Sequence, residues 1–136
     1  MIEFLNPATV GAPAAAYSLG AKVPAGYEYV VTSGIVATRA DGTIAPDLAE
    51  QAAEIWRSIR AVLAAGNCSM SDIVGYTTYV VDRPDLTVDL AAVMAARDAA
   101  LNGHRATSTL LVVPRLARAE WQMEIAVVAA RLPLPA

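Results

Sequence analysis

Residues 47–81 read DLAEQAAEIWRSIRAVLAAGNCSMSDIVGYTTYVV. This stretch carries the clearest helical period in the chain, and it decides what the flanking segments can be. Asp47 followed by Glu50 has the form of a capping box, and Gly66 stands where a helix would close. Between them Leu48, Ile55, Trp56, Ile59, Val62 and Leu63 recur at three- and four-residue spacing, which predicts a helix with one apolar face. After the loop NCSMSD, the run IVGYTTYVV (73–81) is β-branched and aromatic and reads as a strand.

Working downstream, residues 86–101 repeat the helical signal, with Leu90, Val93, Met94 and Leu101 on one side and Gly103 ending the element. Two more strands are expected over about 107–113 and 121–131. Upstream, residues 1–16 are rich in Ala, Pro and Gly and read as an extended lead-in. Strands follow over 17–23 and 27–36, with Pro24-Ala25-Gly26 as the turn between them, and Asp41-Gly42 marks a later loop. The expected order is β-β-α-β-α-β-β, a two-layer α/β sandwich in one domain over residues 1–136. The two helices would cover one sheet face. TLLVV (109–113) and IAVVAA (125–130) are apolar on both sides, so the other face needs cover as well, most simply from another copy of the chain.

Composition narrows the function classes. Apolar residues make up 56% and charged residues 17%, which excludes disorder. A net charge of −3, one lysine and scattered arginines leave no basic stripe, so nucleic acid is not the expected partner. No uncharged apolar stretch approaches about 18 residues, so no membrane span is expected, and the first residues do not have the form of a signal peptide. A single cysteine, Cys68, suits a cytoplasmic location.

The sequence lacks GxGxxG, GxxxxGK[ST] and GxSxG, and one histidine (His104) with one cysteine cannot build a metal cluster. Neither a metal nor a cofactor is expected. Chemistry would fall to carboxylates, hydroxyls, backbone groups and water. Trp56 reads as core, while Trp121 could serve core, interface or ligand wall. Glu124, alone in the apolar run WQMEIAVVAA (121–130), is the carboxylate that asks for an explanation, because a partly desolvated carboxylate on a rigid strand suits a general base.

NPATVGAPAAAYS (6–18), VVTSGIV (30–36), the 47–82 block, ATSTLLVVPRLA (106–117) and MEIAVVA (123–129) together resemble the RidA (YjgF/YER057c/UK114) family over nearly the whole chain. The resemblance implies a chorismate-mutase-like fold assembled as a homotrimer, with clefts between subunits. It implies a cofactor-independent hydrolase that removes reactive enamines and imines as ammonia and a keto acid. Tyr17 matches the family's tyrosine before the first strand, and Ser33-Gly34 matches its Ser-Gly. Glu124 matches the glutamate that orients the hydrolytic water.

One match fails. The family's imine deaminases carry Pro-Ala-Arg-Ser, whose arginine clamps the substrate carboxylate. Here Ala106-Thr107-Ser108-Thr109 stands in its place, putting Ser108 at the arginine and Leu110 at the cysteine two residues on. A shielded arginine–carboxylate pair is worth roughly 1.5–3 kcal/mol. The expected substrate is therefore a small molecule other than a simple 2-imino acid, held by Ser33, Gly34, Thr107, Ser108, Thr109 and Leu110. Arg105 could restore the guanidinium only if the loop before the strand is irregular. The alternative is a non-hydrolytic binder or tailoring enzyme performing tautomerisation, cyclisation or condensation.

Overall fold

The computed structural model describes residues 1–136. Helix α1 spans Leu48–Ala65, and the Asp47 carboxylate caps it by accepting the Glu50 N–H at 2.8 Å. Its apolar stripe buries Ile55, Trp56, Ile59 and Leu63, whereas Val62 remains 40% exposed at the edge of the stripe. Gly66 ends the helix without entering the left-handed region, which Asn67 occupies instead (φ 61°). What requires glycine at 66 is proximity: a Cβ there would sit 2.6 Å from Val30 Cγ2.

The chain opens with a short strand, β1 (Glu3–Leu5), antiparallel to β2 (Gly20–Lys22). This corrects the expected lead-in and hairpin. The turn at Gly26 forms (φ 89°), but the strands on either side of it do not pair with each other. β3 (Glu28–Val31) instead joins the main sheet, lying antiparallel to β6 (Met123–Arg131) with Val31 opposite Val128. The order is thus β-β-β-α-β-α-β-β.

The main sheet runs β3-β6-β4-β5, with β4 at Ile73–Val81 and β5 at Thr107–Val113. β4 and β5 are parallel because α2 (Leu86–Leu101) carries the chain across between them. β6 returns antiparallel to β4, pairing Tyr79 with Glu124. Both helices lie on one face of this sheet. There the α1 stripe meets Ile73, Tyr76, Val80, Met123, Ile125 and Val127 in one core.

The opposite face has no cover within the chain. Tyr29 (58% exposed), Val31 (66%) and Leu111 (44%) make it apolar and open, as the two-sided hydrocarbon pattern of the strands predicts. A mixed α/β sheet with its helices on one side is the fold read from the sequence.

Candidate functional site

Strand alternation sorts the candidate residues. Met123, Ile125 and Val127 of β6 point into the core, so Glu124 lies on the open face. The segment after β3 runs beside it: Ile35 exchanges backbone hydrogen bonds with Ile125 at 2.8 and 3.1 Å, which brings Gly34 against the Glu124 carboxylate. A Cβ at position 34 would sit 2.7 Å from both carboxylate oxygens, so glycine is the residue that lets the strand approach. Exposed Ser33 adjoins it. Thr107 and Thr109 line a shallow depression on the same face, together with Val31 and Thr77. The Glu124 side chain makes no hydrogen bond or ion pair within the chain, and its carboxylate is free to bind water.

Gln51 holds this arrangement in place, and it is fully buried. Its Nε2 donates to the carbonyls of Ala45 (2.9 Å) and Glu120 (2.8 Å), and its Oε1 accepts the Gln122 N–H (3.0 Å). A helix side chain thereby anchors Gln122, the residue just before β6 and two before Glu124.

Ser108 and Leu110 stand opposite Tyr76 and Thr78 in the parallel register and face the helices. With them Tyr17 enters the helix side, because Ser18 bonds to the backbone around β5: its N–H donates to Ala106 O and its hydroxyl to Arg105 O. These residues enclose a cavity of about 160 Å³. α1 contributes Trp56, α2 contributes Val93, Met94 and Arg97, and β6 contributes Ile125. Arg105 is exposed and lines no part of this space.

The structure therefore does not gather the sequence candidates at one point. Glu124 with Ser33, Gly34, Thr107 and Thr109 lies on the open face, and Tyr17, Ser108 and Leu110 lie in the helix-side cavity. On one chain Glu124 is separated from Ser108 by the sheet itself and by two strand spacings, roughly 10 Å, whereas Thr107 and Thr109 share β5 with Ser108 and differ from it only in face.

Two cavity residues were not anticipated from the sequence. Arg97 is 7% exposed, and Tyr76 is 5% exposed with a buried hydroxyl that has no partner. Arg97 was findable: it falls four residues after Val93 and four before Leu101, on the stripe that packs inward.

The remaining reactive side chains have structural roles. His104 Nε2 lies 2.7 Å from Ile73 O, and its ring meets Phe4 edge-on with centroids 5.3 Å apart, so it fastens β1 to the start of β4 rather than facing solvent. Burial, and next the nearby Asp72 carboxylate, push the Cys68 thiol above its ordinary pKa, which makes it a poor nucleophile. Trp121 lies under the Arg118 guanidinium at 5.3 Å. No three His, Cys, Asp or Glu side chains converge in a way that could hold a metal ion.

The comparisons with known proteins agree with this architecture. The family model described as Endoribonuclease L-PSP matches residues 9–131, and the chain belongs to this family, the YjgF or Rid family of its structural neighbours. A Yersinia pestis protein of unknown function from the conserved Rid family, YyfB, is 27% identical, with 96% of this chain and 98% of that one covered at a TM-score of 0.85. The Escherichia coli YjgF gene product is 28% identical, with 85% and 87% covered at 0.68. Escherichia coli TdcF, solved with bound serine, is 25% identical, with 86% and 93% covered at 0.69. No curated protein is similar enough in sequence to match. Family membership supports a small-molecule-related function. No helix is long and apolar enough to cross a membrane.

Proposed function

We propose that this chain is a Rid-type, cofactor-independent hydrolase of a reactive enamine or imine, working as a homotrimer in which Glu124 of one copy completes the cavity of the next. The observation that carries the reading is the unpaired Glu124 carboxylate on an apolar, uncovered sheet face, out of reach of its own chain's cavity. A carboxylate in that position gains a function when a second copy covers the face and brings its cavity alongside. The bound serine of TdcF supports a small-molecule site in this fold.

In the proposed reaction Glu124 accepts a proton from water as the hydroxide adds to the carbon of the protonated imine, giving a neutral carbinolamine. Protonated Glu124 returns that proton to the carbinolamine nitrogen, and ammonia leaves as the carbinolamine hydroxyl gives its proton back to the carboxylate, leaving a carbonyl. An enamine enters the same route after protonation at carbon. Tyr17 and the Ser108 hydroxyl orient the substrate in the cavity. Ser108 at the family's arginine position points away from a simple 2-imino acid and towards a larger electrophile.

A second reading rests on a separate observation: the cavity itself contains no carboxylate. A chain whose Glu124 never meets a substrate would be a binder or a tailoring enzyme for tautomerisation, cyclisation or condensation. Trapping kinetics separate the two. With 2-iminobutyrate generated in situ and captured by semicarbazide, the hydrolase reading expects wild type to accelerate imine loss and Glu124→Gln to abolish the acceleration. Equal rates in both proteins would overturn it. A wild type inert towards this imine, with Ser108→Arg gaining activity, would mark a different natural electrophile.

A further inference from the structure

A hydrocarbon side chain would fill the space beside Val93 and Leu101 at less cost than Arg97, because burying a guanidinium forfeits its hydration. Its one ionic partner, Asp98, is mostly exposed, and both hydrogen bonds go to a single oxygen: Nε at 3.0 Å and Nη2 at 2.9 Å. A guanidinium has five N–H donors, so three are left without a partner, including both on Nη1. Asp98 thus fixes the plane of the group without saturating it.

Tyr76 lines the same cavity, its buried hydroxyl has no partner, and its ring is held by an edge-on contact with Trp56 (centroids 5.4 Å apart). A phenol and a guanidinium left unsatisfied on the wall of one cavity are complementary to a carboxylate: the guanidinium fork takes its two oxygens and the phenol donates to one of them. The rest of the wall is apolar, with Trp56, Val93, Met94 and Ile125. An apolar cavity of about 150 Å³ holds a benzene-sized body, so this one suits a branched aliphatic or aryl group.

We infer that the helix-side cavity binds a small carboxylate with an apolar body, clamped by Arg97 from α2 together with Tyr76. The guanidinium missing from β5 at Ser108 is supplied to the same cavity from the helix. This deepens the proposed function by naming the substrate class as a carboxylate-bearing electrophile with an apolar body. It rests on that reading only for the catalytic step; binding stands independently.

Trp56 lines the cavity, so ligand entry alters tryptophan fluorescence, confirmed by calorimetric titration. The probes are isovalerate and benzoate, against isovaleramide and benzamide of nearly the same shape without the charge. Wild type is expected to bind at least one acid saturably and to prefer it over its amide by roughly ten- to a hundredfold. Arg97→Met should keep the fold and lose that preference, and Tyr76→Phe should weaken acid binding several-fold while leaving melting nearly unchanged. Failure of both acids to bind, equal binding of acid and amide, or an undiminished preference in Arg97→Met overturns the inference. Because the readout is binding without turnover, a hydrolysis assay that fails leaves it standing, and the reverse also holds.

Discussion

Glu124 and Gly34 meet on the open sheet face with no room for a side chain between them: a Cβ at 34 would lie 2.7 Å from each carboxylate oxygen. The approach is set by the Ile35–Ile125 backbone pair and by the side-chain alternation of β6. It places the one carboxylate within the long apolar run of the last strand at a fixed height above the sheet, without occupying its hydrogen-bonding capacity.

Gly34→Ala should therefore act on Glu124 rather than on the fold. The added methyl displaces the end of a flexible side chain, so melting should change little. A displacement of about 1 Å at a reacting group costs on the order of a hundredfold in rate. Imine turnover measured alongside a thermal melt checks both halves of this prediction.

Gln51→Leu should be a stability mutant. It leaves the Ala45 and Glu120 carbonyls and the Gln122 N–H without their partner inside the protein. Buried groups unsatisfied in this way cost about 2–4 kcal/mol in total. A shift of the urea midpoint to lower concentration, with the slope unchanged, is the expected result.

Cys68 should resist alkylation near pH 7, reacting more slowly than free cysteine by about tenfold or more until the chain unfolds. Because folding raises its pKa, the folded chain holds the thiol proton more tightly than the unfolded chain does. That contribution to stability is fully present below the ordinary thiol pKa of about 8.5 and is lost as pH rises above it. Urea midpoints measured from pH 7 to 10 should fall at the alkaline end, and they should fall less in Cys68→Ala.

Much of the architecture is legible in the sequence because it is local. The Asp47 cap, the three- and four-residue spacing of α1 and the β-branched run of β4 each mark an element without reference to the rest of the chain. What escapes is pairing. Glu3–Leu5 is too short to show a period, and β3 leaves its sequence neighbour for β6 because a long-range partner, not the turn at Gly26, decides its sheet.

The site follows the same division. Glu124 stands out because its neighbours are hydrocarbon. Thr107, Ser108, Thr109 and Leu110 are adjacent in sequence, yet alternation sends them to opposite faces, and only the register with Tyr76 and Thr78 shows which pair faces the helices. Arg97 shares its spacing with Val93 and Leu101, but α2 is so rich in alanine that its buried and exposed faces differ little, and only packing shows that this arginine turns inward.

The central claim is that one copy's Glu124 serves another copy's cavity, and mixing two defective chains tests it most directly. Glu124→Gln lacks the base, and Ser108→Leu fills the cavity; each alone should be inactive on the imine. Unfolded and refolded together in equal amounts, they should regain about one quarter of wild-type activity, the share of all sites in randomly assembled trimers that pair an intact cavity with an intact carboxylate. Full inactivity of the mixture, with the separate chains each folded and trimeric, would contradict the account.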